Sequence, residues 1–278
     1  MSLLREFKKI CKDLNINPKK KLGQNFLIDS FVYDSVIDAA SINKDDNVLE
    51  VGPGLGILTE YLAERAKNVL AVELDKEIFL YLKEKFIDNQ NIHILNENIL
   101  DFSFDYFRSQ DYKIVANLPY HITSCFLRKF LSNENSPVSM TLMLQKEVAQ
   151  RIVASDKKES KLSISVKFYA DAKIIRYVDR DSFWPVPKVD SAIIHIKKLK
   201  NSLLLDKEDI KKFFRLVKFG FINKRKMLKN NLAAAFRKDT GYIENILIKN
   251  NLNPKIRAQD LYIDNWLLFL KIFREELE

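Results

Sequence analysis

The sequence predicts an α/β fold: a Rossmann-like, seven-stranded and mostly parallel sheet, followed by a small C-terminal all-α domain. Three observations support this class. From about residue 45, short apolar segments alternate with segments of helical periodicity, strand signals stop near residue 200, and Leu203 to Glu278 is helical in pattern. Continuous apolar strands separated by helices are typical of a parallel sheet that is covered on both faces.

The elements follow one another in a regular order. Seven strands are predicted, at residues 47–51, 69–72, 91–95, 112–116, 138–144, 171–178 and 191–196. Ile57 to Arg65 and Lys76 to Phe86 have the apolar spacing of helices. The loop between the last two strands is too short for a helical crossover, which predicts that the last strand is antiparallel. We therefore expect one domain over residues 1–200, beginning with a basic extension at 1–21, and a helical domain over 201–278.

Composition and charge exclude several classes of protein. Of the 278 residues, 47% are hydrophobic, which is enough for a core and excludes a disordered chain. No apolar run is long enough to span a bilayer, and the N-terminus becomes charged too early for a signal peptide, so we expect a cytoplasmic protein. Two cysteines exclude a disulfide framework or a zinc cluster.

The net charge of +9 is concentrated towards the C-terminus, where residues 201–278 carry 16 basic and 10 acidic side chains. This distribution suggests a polyanionic partner, most simply nucleic acid. Solvated lysine-rich faces without a partner are the alternative explanation.

A glycine-rich turn follows the first predicted strand and opens a helix. Gly52, Gly54 and Gly56 would let the backbone approach a ligand closely, and Glu73 ends the next strand, where a carboxylate can bind both hydroxyls of a ribose. The spacing is G-x-G-x-G, with Pro53 inside the turn and no basic residue to meet a pyrophosphate. The turn therefore favours S-adenosylmethionine (SAM) over a nicotinamide cofactor, unless it is only a tight structural turn.

The fourth predicted strand ends in Asn117-Leu118-Pro119-Tyr120, at the edge of the sheet where such folds bind ligands. This set suits chemistry on the exocyclic amine of a base. The Asn117 oxygen and the Leu118 carbonyl can each accept an N–H and favour a more nucleophilic nitrogen. Pro119 stiffens the loop, and Tyr120 offers a ring for base stacking. A core aromatic and a capping amide are the alternative.

Five short motifs occur in a fixed order along the chain. They are GQNFL at 23–27, VLEVGPGLG at 48–56, NLPY at 117–120, QKEVAQR at 145–151 and FWPVPKVDS at 183–191. With these motifs the sequence resembles the ribosomal RNA adenine dimethyltransferases, most closely the KsgA family that acts on small-subunit rRNA. The resemblance runs from about Lys20 to the C-terminus.

The resemblance implies SAM-dependent transfer of two methyl groups to N6 of each of two adjacent adenines. In this family the adenines lie in a hairpin loop near the 3′ end of 16S rRNA, within a precursor of the small ribosomal subunit. Asn25 and Leu27 would contact the methionine end of SAM, while Tyr120 and Phe183 would sandwich the target base after it leaves its stack. The cofactor-binding residues predicted in total are Asn25, Leu27, Gly52, Gly54, Gly56, Glu73, Asn98, Ile99 and Asn117.

One position departs from the family pattern. Asn98 stands where the family usually has Asp, which accepts a hydrogen bond from the adenine amine of SAM while the backbone N–H of the next residue, here Ile99, donates to the ring. Asn98 can accept only through a neutral amide oxygen, so the bond would be weaker. We expect SAM binding to survive, less tightly. Alternatively, Asn98 is only a loop residue and Asp101 or Glu97 compensates.

Basic residues with apolar neighbours predict phosphate contacts in the C-terminal domain. These are Lys224, Arg225, Lys226 and Lys229. Lys19, Lys20 and Lys21 are predicted either to contact phosphate or to belong to a flexible tail. The three histidines are scattered and lack ligand spacing, so no metal site is expected, and the absence of a heptad pattern or a large apolar patch predicts a monomer.

Two other activities remain open on the same scaffold. One is a macrolide-resistance (Erm-type) methyltransferase acting on 23S rRNA, and the other is a non-catalytic RNA-binding assembly factor. Gly52-Pro53-Gly54 and the segment from Gln145 to Arg151 favour the small-subunit group. A dehydrogenase is disfavoured by the glycine spacing.

Overall fold

The protein alternates strands and helices along most of its length. The computed structural model describes residues 3–108, 110–154, 158–199 and 205–277, and for Lys20 only the backbone. Leu203, where the helical segment was predicted to begin, lies outside the described residues. The strands are β1 (Phe26–Leu27), β2 (Asn47–Val51), β3 (Asn68–Glu73), β4 (Ile92–Asn96), β5 (Tyr112–Asn117), β6 (Ser139–Gln145), β7 (Ala170–Val178), β8 (Phe183–Trp184) and β9 (Ser191–Lys198). The helices are α1 (Leu3–Asp13), α2 (Ser30–Ala40), α3 (Ile57–Ala63), α4 (Lys76–Lys85), α5 (Thr123–Leu131), α6 (Lys146–Val153), α7 (Lys161–Tyr169), α8 (Lys207–Gly220), α9 (Leu228–Phe236), α10 (Thr240–Lys249) and α11 (Ile263–Ile272).

The main sheet has seven strands in the order β4-β3-β2-β5-β6-β9-β7. Strand β2 pairs in parallel with β3 and β5, β3 with β4, and β5 with β6, whereas β9 runs antiparallel to β6. The apolar residues of the inner strands are almost fully buried, as expected for a sheet covered on both faces. The predicted seven-stranded sheet with an antiparallel last strand is confirmed.

The first 45 residues contain more structure than the predicted basic extension at 1–21. Helix α1 buries Phe7 and Cys11, and α2 buries five residues between Val32 and Ala40 in the same core cluster. Strand β1 pairs antiparallel with β8, so that Phe26 faces Trp184 and Leu27 faces Phe183 across the ladder. The N-terminal segment is therefore an integral part of the core rather than a tail.

The chain forms two compact units with discontinuous boundaries. Unit 1 comprises residues 1–149 and 171–198, and unit 2 comprises residues 150–170 and 199–278. The predicted division at residue 200 assigned 150–170 to the first domain, and in this respect the structure differs from the prediction. The physical reason is that Ile164 and Phe168 on α7 pack into the apolar cluster formed by the C-terminal helices, including Phe213 of α8. No helix within the described ranges has the length and apolar character needed to cross a membrane.

Candidate active site

A cavity lies in unit 1 where strands β2, β3 and β5 end. Because parallel strands present their carboxyl ends at one edge of the sheet, the loops after these strands converge there. The predicted cofactor residues that line it are Asn25, Leu27, Gly52, Gly54, Glu73, Asn98, Ile99 and Asn117. The fold thus brings eight of the nine predicted residues, from five separate chain segments, to one site.

Two glycines of the turn after β2 have different roles. Gly54 lines the cavity with φ of +58°, and a Cβ there would lie 3.1 Å from Cδ1 of Phe26, so a side chain would be strained and would crowd the β1 segment. Gly56, with φ of +86°, is the N-cap of α3, and a Cβ there would lie 2.9 Å from Leu82 and Phe86. Gly56 is outside the set that lines the cavity. The structure therefore gives it a packing role instead of the predicted contact with the cofactor.

Two buried carboxylates face the cavity. Glu73 is 7% exposed, and its Oε1 accepts a hydrogen bond of 2.7 Å from the backbone N–H of Asp75. Burial raises the pKa of Glu73 to about 7. Glu50 is fully buried, both of its oxygens lack a hydrogen-bond partner among the described residues, and burial raises its pKa to about 8. Glu50 is not among the residues predicted to bind the cofactor, although an acid inside an apolar strand is a signal of a functional role.

The loop after β4 carries Asn98 and Ile99. The Asn98 side chain is engaged within the loop, since its Oδ1 accepts from the backbone N–H of Leu100 at 3.1 Å. Its Nδ2 donates to Oδ2 of Asp101 at 2.9 Å. Ile99 is 5% exposed and contributes to the apolar wall. Asn98 therefore lines the cavity, and its neutral side chain orders its own turn.

The segment before β1 is tied to the turn after β3. Nζ of Lys19 lies 2.9 Å from carboxylate oxygens of both Asp75 and Glu77, and Nε2 of Gln24 donates to Asp75 at 2.9 Å. Lys19 is thus paired within unit 1 and does not belong to a flexible tail. Lys21 is exposed, and the side chain of Lys20 lies outside the described residues. These bonds hold the segment carrying Asn25 against the cavity.

The Asn-Leu-Pro-Tyr loop forms another wall. Asn117 and Pro119 line the cavity, and Nδ2 of Asn117 donates to the Asn25 carbonyl at 3.3 Å. Leu118 is buried, and its N–H donates to the carbonyl of Met143 at 3.2 Å. The phenolic oxygen of Tyr120 lies 3.0 Å from Oγ of Ser191.

The two predicted stacking rings occupy different environments. Tyr120 is half-buried, whereas Phe183 is 1% exposed and belongs to the core cluster of unit 1. Neither ring is among the residues that line the cavity. A sandwich of the target base would therefore require Phe183 to leave the core. Conversely, His121 and Ile122, to which the prediction gave no site role, do line the cavity.

The predicted basic segment lies in unit 2. Lys224, Arg225 and Lys226 are exposed in the turn before α9, while Nζ of Lys229 pairs with Glu244 at 2.7 Å. Nδ2 of Asn231 donates to the carbonyls of Gly220 and Asn223 and so holds this turn against the helices. Three of the four predicted RNA-binding side chains are therefore available to a ligand. Within the described ranges no cluster of His, Cys, Asp or Glu could hold a metal ion.

The sheet order, the glycine turn with its positive φ angles and the acid at the end of the next strand define a SAM-dependent methyltransferase of the Rossmann-like class I type. The residues fit the cofactor: Glu73 can accept ribose hydroxyls, and Gly54 leaves room where a Cβ would crowd Phe26. The carboxylate of Glu50, which has no hydrogen-bond partner among the described residues, lines the same cavity.

The family model for ribosomal RNA adenine dimethylase matches residues 15–274, and the chain belongs to this family. Among curated relatives, "Ribosomal RNA small subunit methyltransferase A" of Dehalococcoides mccartyi is 42% identical over 234 residues, covering 84% of this chain and 80% of the relative. The protein of the same name from Mycoplasmopsis pulmonis is 42% identical over 222 residues, covering 79% and 85%.

Two solved structures are similar over most of the chain. A dimethyladenosine transferase from Plasmodium falciparum has a TM-score of 0.77 and 26% identity, with 90% of this chain and 98% of that chain covered. The 23S rRNA methyltransferase ErmE has a TM-score of 0.73 and 26% identity, with 89% and 98% covered. The chain is an rRNA adenine dimethyltransferase that uses SAM.

Proposed function

We propose that this enzyme dimethylates N6 of two adjacent adenines near the 3′ end of 16S rRNA, within a precursor of the small ribosomal subunit in the cytoplasm, and acts as a monomer. The observation that carries the proposal is that Asn117 and Pro119 line the same cavity as Glu73 and Asn98. The proposed base-binding loop and the proposed cofactor-binding residues therefore share one site. The relatives named small subunit methyltransferase A support the choice of the small subunit.

In the proposed reaction the target N6 approaches the cofactor beside Asn117. SAM supplies a methyl group on a sulfonium, which is an excellent leaving group. The Asn117 side-chain oxygen and the carbonyl of Leu118 accept hydrogen bonds from the N6 amine of the base and orient the N6 lone pair towards that methyl group. As the bond from N6 to the methyl carbon forms, the bond from that carbon to the sulfonium sulfur would break, S-adenosylhomocysteine would be the leaving group, and one N6 proton would be lost to solvent. Orientation supplies most of the rate, since no side chain has to act as a strong base.

Base stacking is assigned to Tyr120 alone. Its ring is half-buried and is held at the phenolic oxygen, whereas Phe183 is packed in the core. Tyr120→Ala is expected to lower methyl transfer far more than Tyr120→Phe, which keeps the stacking face.

The decisive experiment uses labelled SAM and small subunits that lack the modification, followed by digestion of the rRNA. We expect N6,N6-dimethyladenosine in 16S rRNA, abolished by Asn117→Ala. Asn89→Ala, at an exposed position in the turn after α4, is the matched control and is expected to retain activity. Label in 23S rRNA would favour the Erm-type alternative, and SAM binding without any transfer would favour the assembly factor.

The exposed turn at Lys224, Arg225 and Lys226 is proposed to contact rRNA phosphates. Replacing all three by alanine is expected to reduce the slope of log K against log salt by about 2 to 3, since each phosphate contact contributes roughly 0.7 to 0.9. Lys229→Ala is the matched comparison, and it is expected to have a smaller effect because Lys229 is paired with Glu244. Equal effects of the four single substitutions would contradict this assignment.

A further inference from the structure

Lys129 on α5 reaches the loop that follows β4. Its Nζ donates to two backbone carbonyls, those of Leu100 and Phe102, each at 2.7 Å. The same ammonium lies 5.5 Å from the centroid of the Phe104 ring. Burial lowers the pKa of Lys129, against the opposing charges of Asp101 and Glu97. A partly buried ammonium that is directed at two carbonyls acts as a structural donor.

The loop held by Lys129 is the one that carries Asn98 and Ile99 into the cavity. It is a sequence of tight turns: the N–H of Asp101 donates to the Asn98 carbonyl at 2.8 Å, and Phe102 is buried at its end. Charged donors form stronger hydrogen bonds than neutral ones, so loss of the ammonium would free both carbonyls and loosen the loop.

Helix α5 also begins next to the Asn-Leu-Pro-Tyr loop. The Thr123 hydroxyl, in the first turn of α5, donates to the Tyr120 carbonyl at 3.2 Å. Two turns further along, Lys129 holds the loop after β4. One helix therefore connects the backbone beside the proposed reaction centre to the loop beside the proposed adenine pocket.

We infer that Lys129 is a positioning residue for recognition of the cofactor's adenine, acting through the backbone of the loop from Asn98 to Phe102. This inference rests on the proposed placement of the adenine beside Asn98 and Ile99. Lys129 does not touch the cofactor. It sets the loop so that the Asn98 oxygen and the Ile99 N–H meet the edge of the base.

The test compares S-adenosylhomocysteine with S-inosylhomocysteine, in which the adenine amine is replaced by a carbonyl, by calorimetry on the full chain. The wild type is expected to prefer the adenine ligand. Lys129→Met is expected to weaken the binding of S-adenosylhomocysteine about tenfold, equivalent to about 1.4 kcal/mol. It is expected to weaken the binding of S-inosylhomocysteine less. Arg128→Met, an exposed neighbour on the same helix that loses the same charge, is expected to leave the preference unchanged.

A general loss of stability would lower the melting temperature and weaken the binding of both ligands equally. The ratio of the two affinities therefore distinguishes a positioning role of Lys129 from a general loss of stability. Lys129→Leu, which likewise has no donor, serves if Lys129→Met does not fold, and Lys129→Arg is expected to restore part of the preference. A wild-type preference that Lys129→Met or Lys129→Leu leaves intact would overturn the inference alone. A wild type that binds both ligands equally would overturn the adenine placement as well.

Discussion

The affinity for SAM should depend on pH through the buried carboxyl group of Glu73. Glu73 is 7% exposed, and burial raises its pKa to about 7. Ribose hydroxyls donate hydrogen bonds, so they bind the ionised carboxylate better than the neutral acid. Binding therefore favours loss of the proton, and affinity rises as the pH rises through 7.

The size of the effect follows from the titration. With a pKa of about 7, the ionised fraction of Glu73 is about one half at pH 7 and about one tenth at pH 6. If only the ionised form binds, the dissociation constant should be about fivefold higher at pH 6 than at pH 7, and should fall by about twofold above pH 7.

Calorimetric titration of SAM from pH 6 to pH 8 tests this expectation. Glu73→Gln should bind about tenfold more weakly at pH 8, because the charge assistance is lost, and its affinity should be nearly independent of pH between 6 and 7. Glu84→Gln, which removes an exposed acid on α4 outside the cavity, is the matched control and is expected to keep the wild-type pH profile. A flat wild-type profile, or a Glu73→Gln variant that keeps the wild-type slope, would refute the reasoning.

Two further predictions concern particular contacts. Asn98→Asp alone should change the affinity for SAM, measured by calorimetry, by less than about threefold, because the new carboxylate would face the carboxylate of Asp101. The double variant Asn98→Asp with Asp101→Asn avoids this repulsion and should bind SAM more tightly. A large gain from the single change would contradict this reasoning. Gly220→Ala should lower the free energy of unfolding of unit 2, measured by urea titration, because the added Cβ would lie 2.2 Å from Cη2 of the fully buried Trp266. Overpacking costs about 1–3 kcal/mol, which outweighs the gain of about 1 kcal/mol in helix propensity from glycine to alanine. A higher midpoint of unfolding would show that the helices can move apart.

Local sequence signals were sufficient for the main sheet and for most of the cavity wall. Strand β2 is a mostly apolar run followed by Gly52, and Glu73 ends the next apolar run, so local sequence is enough to identify both features. The parallel order of the strands then brings them to one edge. The position of Glu73 in the cavity is a direct consequence of that pattern.

Contacts between distant segments could not be predicted in this way. Strand β1 has two residues and pairs with β8 more than 150 positions later, which leaves no periodicity to detect. Lys129 looks like any basic residue on an amphipathic helix until its distance to the Leu100 carbonyl is known. The burial of Phe183 likewise depends on neighbours from other parts of the chain, and local patterns do not report it.

The discontinuity of the two units has a consequence for synthesis of the chain on the ribosome. Helix α7 emerges before β7 and β9, yet the apolar surface of Phe168 is covered by helices made only after residue 205. The central sheet can form completely once β9 has been made, while the C-terminal helices that cover the apolar face of α7 have not yet been synthesised. A nascent chain halted near residue 200 would therefore expose the apolar face of α7 after every strand of the sheet had been made. A transplant of unit 2 between relatives must move both of its segments together.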